Sequence, residues 1–201
     1  MFILIFTILS TLTSVFISAQ QQVDNSLSVC MRDLVTEGLT AQYNYLALSS
    51  KFCGSRGYPG FGSLFAHLSD EDYSHADKVV KFMALRKMTV DRLINQTGIK
   101  IHSDIYNVMD TRNALTQAKE NNKRSWRELN RCHQIAVDKN DFNVQDYLET
   151  TLLEHHVKVE KLLSDMENRI DEVEDDRKEL ITFMIDEELL ETYGDRRTKV
   201  W

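Results

Sequence analysis

The stretch from Ile135 to Leu163 reads IAVDKNDFNVQDYLETTLLEHHVKVEKLL. It opens on Asp138-Lys139-Asn140-Asp141, a turn-forming cluster whose last aspartate is placed to cap a following helix. Apolar residues then recur at Leu148, Leu152, Val159, Leu162 and Met166, the spacing of one buried helical stripe. Within that stripe, where a leucine would be expected, stands the pair His155-His156. Near the helix start, Asp146 and Glu149 lie three apart and share a face. A long helix with histidines in its buried middle and acids on a separate face points beyond packing to a cation.

The rest of the chain is read outward from there. Residues 1–19 are almost wholly apolar and end in Ile17-Ser18-Ala19, which reads as a secretory signal peptide with small residues at the cut. A membrane anchor is the competing reading; the cut site and the lack of a flanking basic cluster favour cleavage, leaving no membrane association. The remainder suits a single domain, residues 20–193, with a polar, loose tail at 194–201. One proline and seven glycines in 201 residues argue for an all-α protein. The net charge of −7 and the absence of a basic stripe exclude nucleic acid as the expected partner. Asn95-Gln96-Thr97 is an N-glycosylation acceptor, in keeping with a secretory route.

Four long helical patterns follow in order: about 27–52, 61–87, 104–137 and 141–170, with a shorter one at 179–193. The first carries Gly38 in mid-stripe, which reads as a close helix approach. The second carries Asp72 and His75 at i, i+3, a pair that can present two metal ligands from one helix. Residues 88–103 have no helical stripe and are long enough to cross the whole bundle, so that the second and third helices run parallel.

Together these features resemble a ferritin subunit: a four-helix bundle with a long crossover between helices two and three and a short fifth helix. The resemblance rests on Ala41-Gln42-Tyr43-Asn44-Tyr45-Leu46, His75-Ala76-Asp77-Lys78, and Ala136 to Asp141 leading into Asp146-Tyr147-Leu148-Glu149-Thr150. Pro59-Gly60-Phe61 is similar to secreted invertebrate ferritins. The family builds hollow shells, typically of twenty-four subunits, and stores iron as a ferric mineral.

Heavy-type subunits of that family oxidise ferrous iron at two adjacent metal positions, for which hard carboxylate ligands are suited. Carried over, the first-helix glutamate position falls on Gly38, the second-helix glutamate on Asp72 and the histidine on His75. The third-helix glutamate position falls on Asn122, or on Lys119 in a shifted register, and the fourth-helix glutamine on His156. The tyrosine of the site is retained as Tyr45. Asp72, His75 and His156 remain as a degenerate set, with no tight di-iron site expected, and the resemblance implies a light-type subunit. Ferroxidase activity would come from heavy-type subunits in a mixed shell. The resemblance further implies a cation channel lined by His133, Asp146 and Glu149, and mineral nucleation at Asp70, Glu71 and Asp77. Two alternatives are an active ferroxidase with an altered di-iron site, and a ferritin-like helical binding protein that stores no iron.

The cysteine count is three, odd for a secreted chain. Cys30 and Cys53 are about 34 Å apart along a helix rising 1.5 Å per residue, so they do not pair with each other. One of them is expected to bond another subunit. Cys132, in a helical stripe, is expected to be a buried thiol.

Overall fold

The computed structural model describes residues 25–198. The predicted signal peptide lies outside the described residues. Helix α1 is Asn25–Lys51, prolonged by a π-helical turn at Phe52–Arg56. It ends at Gly57, whose φ of 73° suits glycine because no Cβ has to be accommodated. Helix α2, Pro59–Leu85, starts with proline in its first turn, where the missing N–H would have no helical partner.

A long connection holds one helical turn, Ser103–Tyr106, and leads to α3, Thr111–Asp138. The third helix thus begins seven residues later than its sequence pattern suggests. Asp110 stops that pattern: its side chain caps α3 by accepting from the Asn113 amide at 2.7 Å. Helix α4 runs through Phe142–Leu148, a π-helical turn at Glu149–Leu153, and Glu154–Asp171. Helix α5 is Lys178–Tyr193. No described helix is long and apolar enough to cross a membrane.

Cross-helix contacts fix the directions. Phe52 packs against Phe61, and Ser69 donates to the Gln42 carbonyl, so α1 and α2 are antiparallel. Tyr45 donates to the Ala118 carbonyl at 3.1 Å and Cys30 meets Cys132, so α3 is also antiparallel to α1. Helices α2 and α3 are therefore parallel, and the connection must run the length of the bundle. It lies along α1, touching Thr36 through the Asn95 amide, Asn44 through the His102 amide, and Lys51 through the Tyr106 carbonyl.

The core has two apolar halves. One holds Tyr45, Leu48, Phe52, Phe61, Phe65, Leu115, Val159 and Leu163 among others. The other holds Leu27, Met31, Val79, Leu129, Val144, Leu148 and Leu152. On every helix the apolar stripe is interrupted between them, leaving a polar layer that includes Thr40, Asn44, Asp72, Asn121, Asn122 and His156, all buried. The fourth-helix stripe passes through Leu163; Leu162 is only partly buried at its flank.

Cys30 and Cys132 form a disulfide within the chain, with 5.6 Å between their Cα atoms. This corrects the assignment of Cys30 as an inter-subunit candidate and of Cys132 as a thiol. Both cysteines lie on the buried stripes of neighbouring antiparallel helices at one level, which their separation of 102 residues conceals. Cys53 is the free thiol.

At the end of the bundle, Gly60 allows α5 to approach: a Cβ there would stand 1.9 Å from the Asp186 carbonyl oxygen. Asp186 in turn accepts from the Phe61 amide at 2.9 Å, satisfying the start of α2. Beyond α5, the described residues 194–198 lie along α2. The Arg196 amide donates to Ser63, and its guanidinium pairs with Asp70 at 3.0 Å.

Asp141 caps α4 through the Val144 amide and receives two hydrogen bonds from Arg86, tying the end of α2 to the start of α4. Burial alone would raise its pKa, but Arg86 and the Val144 amide hold it below the ordinary 3.8. A depressed folded-state pKa contributes stability above the unfolded value and loses it as pH falls through the folded one. Replacing Asp141 by Asn is expected to cost about 2–3 kcal/mol at neutral pH, read from urea unfolding at fixed protein concentration. The gap to the native chain should narrow steadily between about pH 5 and pH 2. For the disulfide, a chromogenic thiol reagent should titrate one thiol per denatured, unreduced chain and three after reduction. Reduction should lower stability by about 2–4 kcal/mol; three thiols before reduction would dispose of the bridge.

Candidate metal centre

The polar layer brings α2 and α4 together around two imidazoles and a carboxylate. Asp72, His75 and His155 each direct one ligand atom into a common space, all within 4.8 Å of one another. The rings of His75 and His155 meet edge to face at 4.4 Å. His155 stands between two acids, with Nε2 3.9 Å from Asp72 and Nδ1 3.8 Å from Glu71. Glu71 is also 3.4 Å from His67, one turn earlier on α2. The Nδ1 atom of His75 is buried with no hydrogen-bond partner.

The electrostatics follow from burial. Asp72 is only 5% exposed, and its pKa is raised well above the carboxylate range by burial, then by Glu71 and Glu37. Burial lowers His75 to about 4 with help from Lys78, and lowers His155 to about 3 with help from His75 and His156. Both imidazoles are therefore neutral at physiological pH, with lone pairs available to a cation.

The fourth-helix histidine in this group is His155, which corrects the assignment to His156. The two differ by one residue, about 100° around a helix. His156 continues the line Leu148–Leu152 and turns to α3, where its Nδ1 meets the Asn122 side-chain oxygen at 2.8 Å. The Asn122 amide in turn donates to the His156 carbonyl at 3.1 Å. His156 is buried and lowered to about 4 by burial and by His75. The i, i+4 spacing from Leu152 is the signal that separates the two: it puts His156 on the core line and leaves His155 facing the neighbouring helix. The widened turn at Glu149–Leu153 lies just before the pair, and Thr150 bonds back to the Asp146 carbonyl within it.

The other predicted positions distribute as follows. Gly38 faces α2: a Cβ there would rest in ordinary contact 3.5 Å from the Ala76 Cβ, so the expected close helix approach does not by itself require glycine. Tyr45 donates to the Ala118 carbonyl, and burial followed by the Asp72 charge raises its pKa well above 10. Lys119 does not enter the layer; it pairs with Glu167 of α4 at 2.7 Å. Glu37, one residue before Gly38, is partly buried with one carboxylate oxygen unpartnered, and burial raises its pKa against the pull of Arg124.

An iron pair does not fit this layer. It would need carboxylates from α1 and α3, where the chain has Gly38, lacking a side chain, and Asn122, committed to His156.

Of the channel residues, His133 and Glu149 meet at 2.5 Å beside a cavity of about 160 Å³ lined also by Leu129, Leu148 and Leu153. Asp146 lies one turn before Glu149 on α4 and outside that lining. The three nucleation candidates already have neighbours: Asp70 pairs with Arg196, Asp77 pairs with Lys81 at 2.5 Å, and Glu71 lies beside the imidazoles of His67 and His155.

A family model described as a ferritin-like domain matches residues 31–173, all four bundle helices. The chain is 26% identical over 159 residues to the ferritin middle subunit of Salmo salar, covering 78% of this chain and 87% of that protein. It is 29% identical over 129 residues to the soma ferritin of Lymnaea stagnalis, covering 63% of this chain and 71% of that protein.

Replacing Asn122 by Leu should destabilise the chain by about 1–3 kcal/mol, because the His156 ring nitrogen and carbonyl both lose a buried partner. Adding His156→Leu should recover part of that loss, since two apolar groups then meet. The check is a double-mutant cycle of unfolding free energies; strict additivity would show that the pair is not coupled.

Proposed function

Because the chain belongs to the ferritin family, we propose that it is a light-type subunit of an iron-storage shell. In this reading it supplies wall and cation entry, and leaves ferrous oxidation to heavy-type subunits assembled with it, typically to twenty-four in all. The observation that carries the reading is the pairing of Asn122 with His156, together with a glycine at position 38. Two of the four helices thereby offer no carboxylate where a pair of irons would need one.

Assembly is supported by apolar side chains that a lone subunit leaves in water. Tyr43 and Leu46 on α1, and Leu180, Phe183 and Met184 on α5, are each more than two-fifths exposed. Cation entry is supported by the contact of His133 with Glu149 at the α3–α4 surface, with Asp146 close in sequence. Mineral deposition on Asp70, Glu71 and Asp77 would have to compete with the neighbours those acids have. The polar tail and the leader at residues 1–19 complete the domain reading of one ferritin-like unit.

A secretory route is supported by the Cys30–Cys132 bridge, since structural disulfides persist in oxidising compartments and are rare in the cytosol. At Asn95, the side-chain oxygen accepts from the Thr97 amide and hydroxyl, and the amide nitrogen lies 3.4 Å from Asp33. A glycan there would have to displace Asp33.

The altered-ferroxidase alternative would assemble Asp72, Glu71, His75 and His156 into a changed site. The readings separate on shells built from this chain alone and shells mixed with a heavy-type subunit. Ferrous oxidation should stay near the uncatalysed rate in the first and rise with the heavy-type share in the second. A homopolymer as fast as the mixture would overturn the light-type role. Absence of a large hollow particle by electron microscopy would overturn the shell itself.

A further inference from the structure

We propose that Asp72, His75 and His155 form a mononuclear site for a borderline divalent cation of the zinc class, clamping α2 to α4, with Glu71 as its positioning carboxylate. The inference rests on the reading of the polar layer as unable to hold two irons, and takes up what the remaining ligands do.

The donor set comes first. Two imidazoles and one carboxylate form a nitrogen-rich, borderline set, in contrast to the oxygen ligands that hard cations take. Among first-row divalent ions, such a set binds zinc more tightly than ferrous iron. Three protein ligands with one open position are a recurrent zinc arrangement. Ligand atoms about a tetrahedral zinc at about 2.1 Å stand about 3.4 Å apart. The present atoms, all within 4.8 Å, would close by about 1.4 Å at most, within reach of side-chain torsions.

The second argument is the lack of other partners. The His75 Nδ1 atom is buried and unbonded, a cost that a cation would remove. The Asp72 carboxylate stands 3.9 Å from His155 Nε2, too far for a hydrogen bond and close enough for both to reach one ion.

The third argument is the surroundings of His155. Its Nε2 looks to Asp72 while its Nδ1 looks to Glu71 at 3.8 Å. With Nε2 on a metal, Nδ1–H would have Glu71 as a nearby acceptor, and closing the 3.8 Å gap by a side-chain rotation would make the carboxylate–histidine–metal pattern that sets the tautomer and ring orientation. Glu71 is itself steadied by His67 at 3.4 Å, and His67 packs on Tyr193 at the end of α5, ring centroids 4.8 Å apart. The Arg196–Asp70 pair closes the same side of α2. The ligand shell is thus supported from outside by the end of α5 and the segment after it.

The fourth argument is the separation from His156. That histidine spends its Nδ1 on Asn122, so it is not available as a further ligand through that atom, and the site stays at one ion.

The test uses the assembled metal-free shell of the mature chain, in a His133→Ala background so that the surface pair with Glu149 does not count. Calorimetric titration with zinc should give one ion per subunit, and cobalt should give the visible absorption of a low-coordinate ion, displaced by zinc. His155→Ala and His75→Ala should each lose the ion and the zinc-induced rise in melting temperature. His156→Ala should keep both. Glu71→Gln should hold the stoichiometry at one and weaken zinc binding by about 10- to 100-fold. Particle mass and helical content measured on each variant ensure that a loss of binding is not a loss of fold. Two ions per subunit, no ion, binding indifferent to His155, or binding abolished by His156→Ala with the fold intact would each overturn the proposal. These outcomes are distinct from fast dioxygen-dependent iron oxidation by the homopolymer, which bears on the light-type role.

Discussion

A buried polar layer is costly to leave unpaired, and that constraint organises this subunit. Each helix of the bundle changes from apolar to polar at the same level, so two apolar half-cores are separated by a band of asparagines, histidines and acids. Burying an amide or imidazole without a partner costs about 1–3 kcal/mol, so the helices must meet in the register that pairs these groups. Asn44 donates to Asn121 at 2.9 Å, Asn121 donates to the Ala41 carbonyl, and Asn122 exchanges contacts with His156. Apolar stripes alone tolerate sliding; these directional contacts do not.

The same layer also positions the rest of the molecule. The His102 amide donates to Asn44, so the crossover is attached to α1 at the level of the band. The Cys30–Cys132 bridge then closes the far half of the α1–α3 contact. At the opposite end, Gly60 and Asp186 bring α5 down on the start of α2, and the segment after α5 follows α2 toward Glu71. The fifth helix therefore reaches the surroundings of the metal ligands without contributing one.

Within the band, the pairing divides the residues between structural contacts and the candidate metal ligands. Asn122 is hydrogen-bonded to His156, and Gly38 lies beside Ala76 and offers no side chain. The helices α1 and α3 thereby contribute structure. Helices α2 and α4 keep Asp72, His75 and His155, the groups whose neutral imidazoles and unmet hydrogen-bonding capacity face one another. The layer divides into a half committed to structural contacts and a half that holds the candidate metal ligands.

Much of this was determined by the sequence alone. The stripes of α1 to α4, the breaker-rich connections and the unstriped span after α2 specify an all-helical bundle with a crossover, because hydrophobic period and backbone breakers are local properties. The match at Ala41–Leu46, His75–Lys78 and Ala136–Thr150 names the family, and Gly38 and Asn122 are visible as non-acidic residues at ligand positions. The tertiary structure decided what depends on rotation and distance between helices. It turned His155 rather than His156 toward Asp72, because adjacent residues differ by about 100° and only the helix packing says which faces α2. It joined Cys30 to Cys132, because two positions 102 residues apart share one level only once α1 and α3 are antiparallel neighbours. It also gave Asp70 and Asp77 basic partners, since a sequence displays charges but not which opposite charge lies within reach.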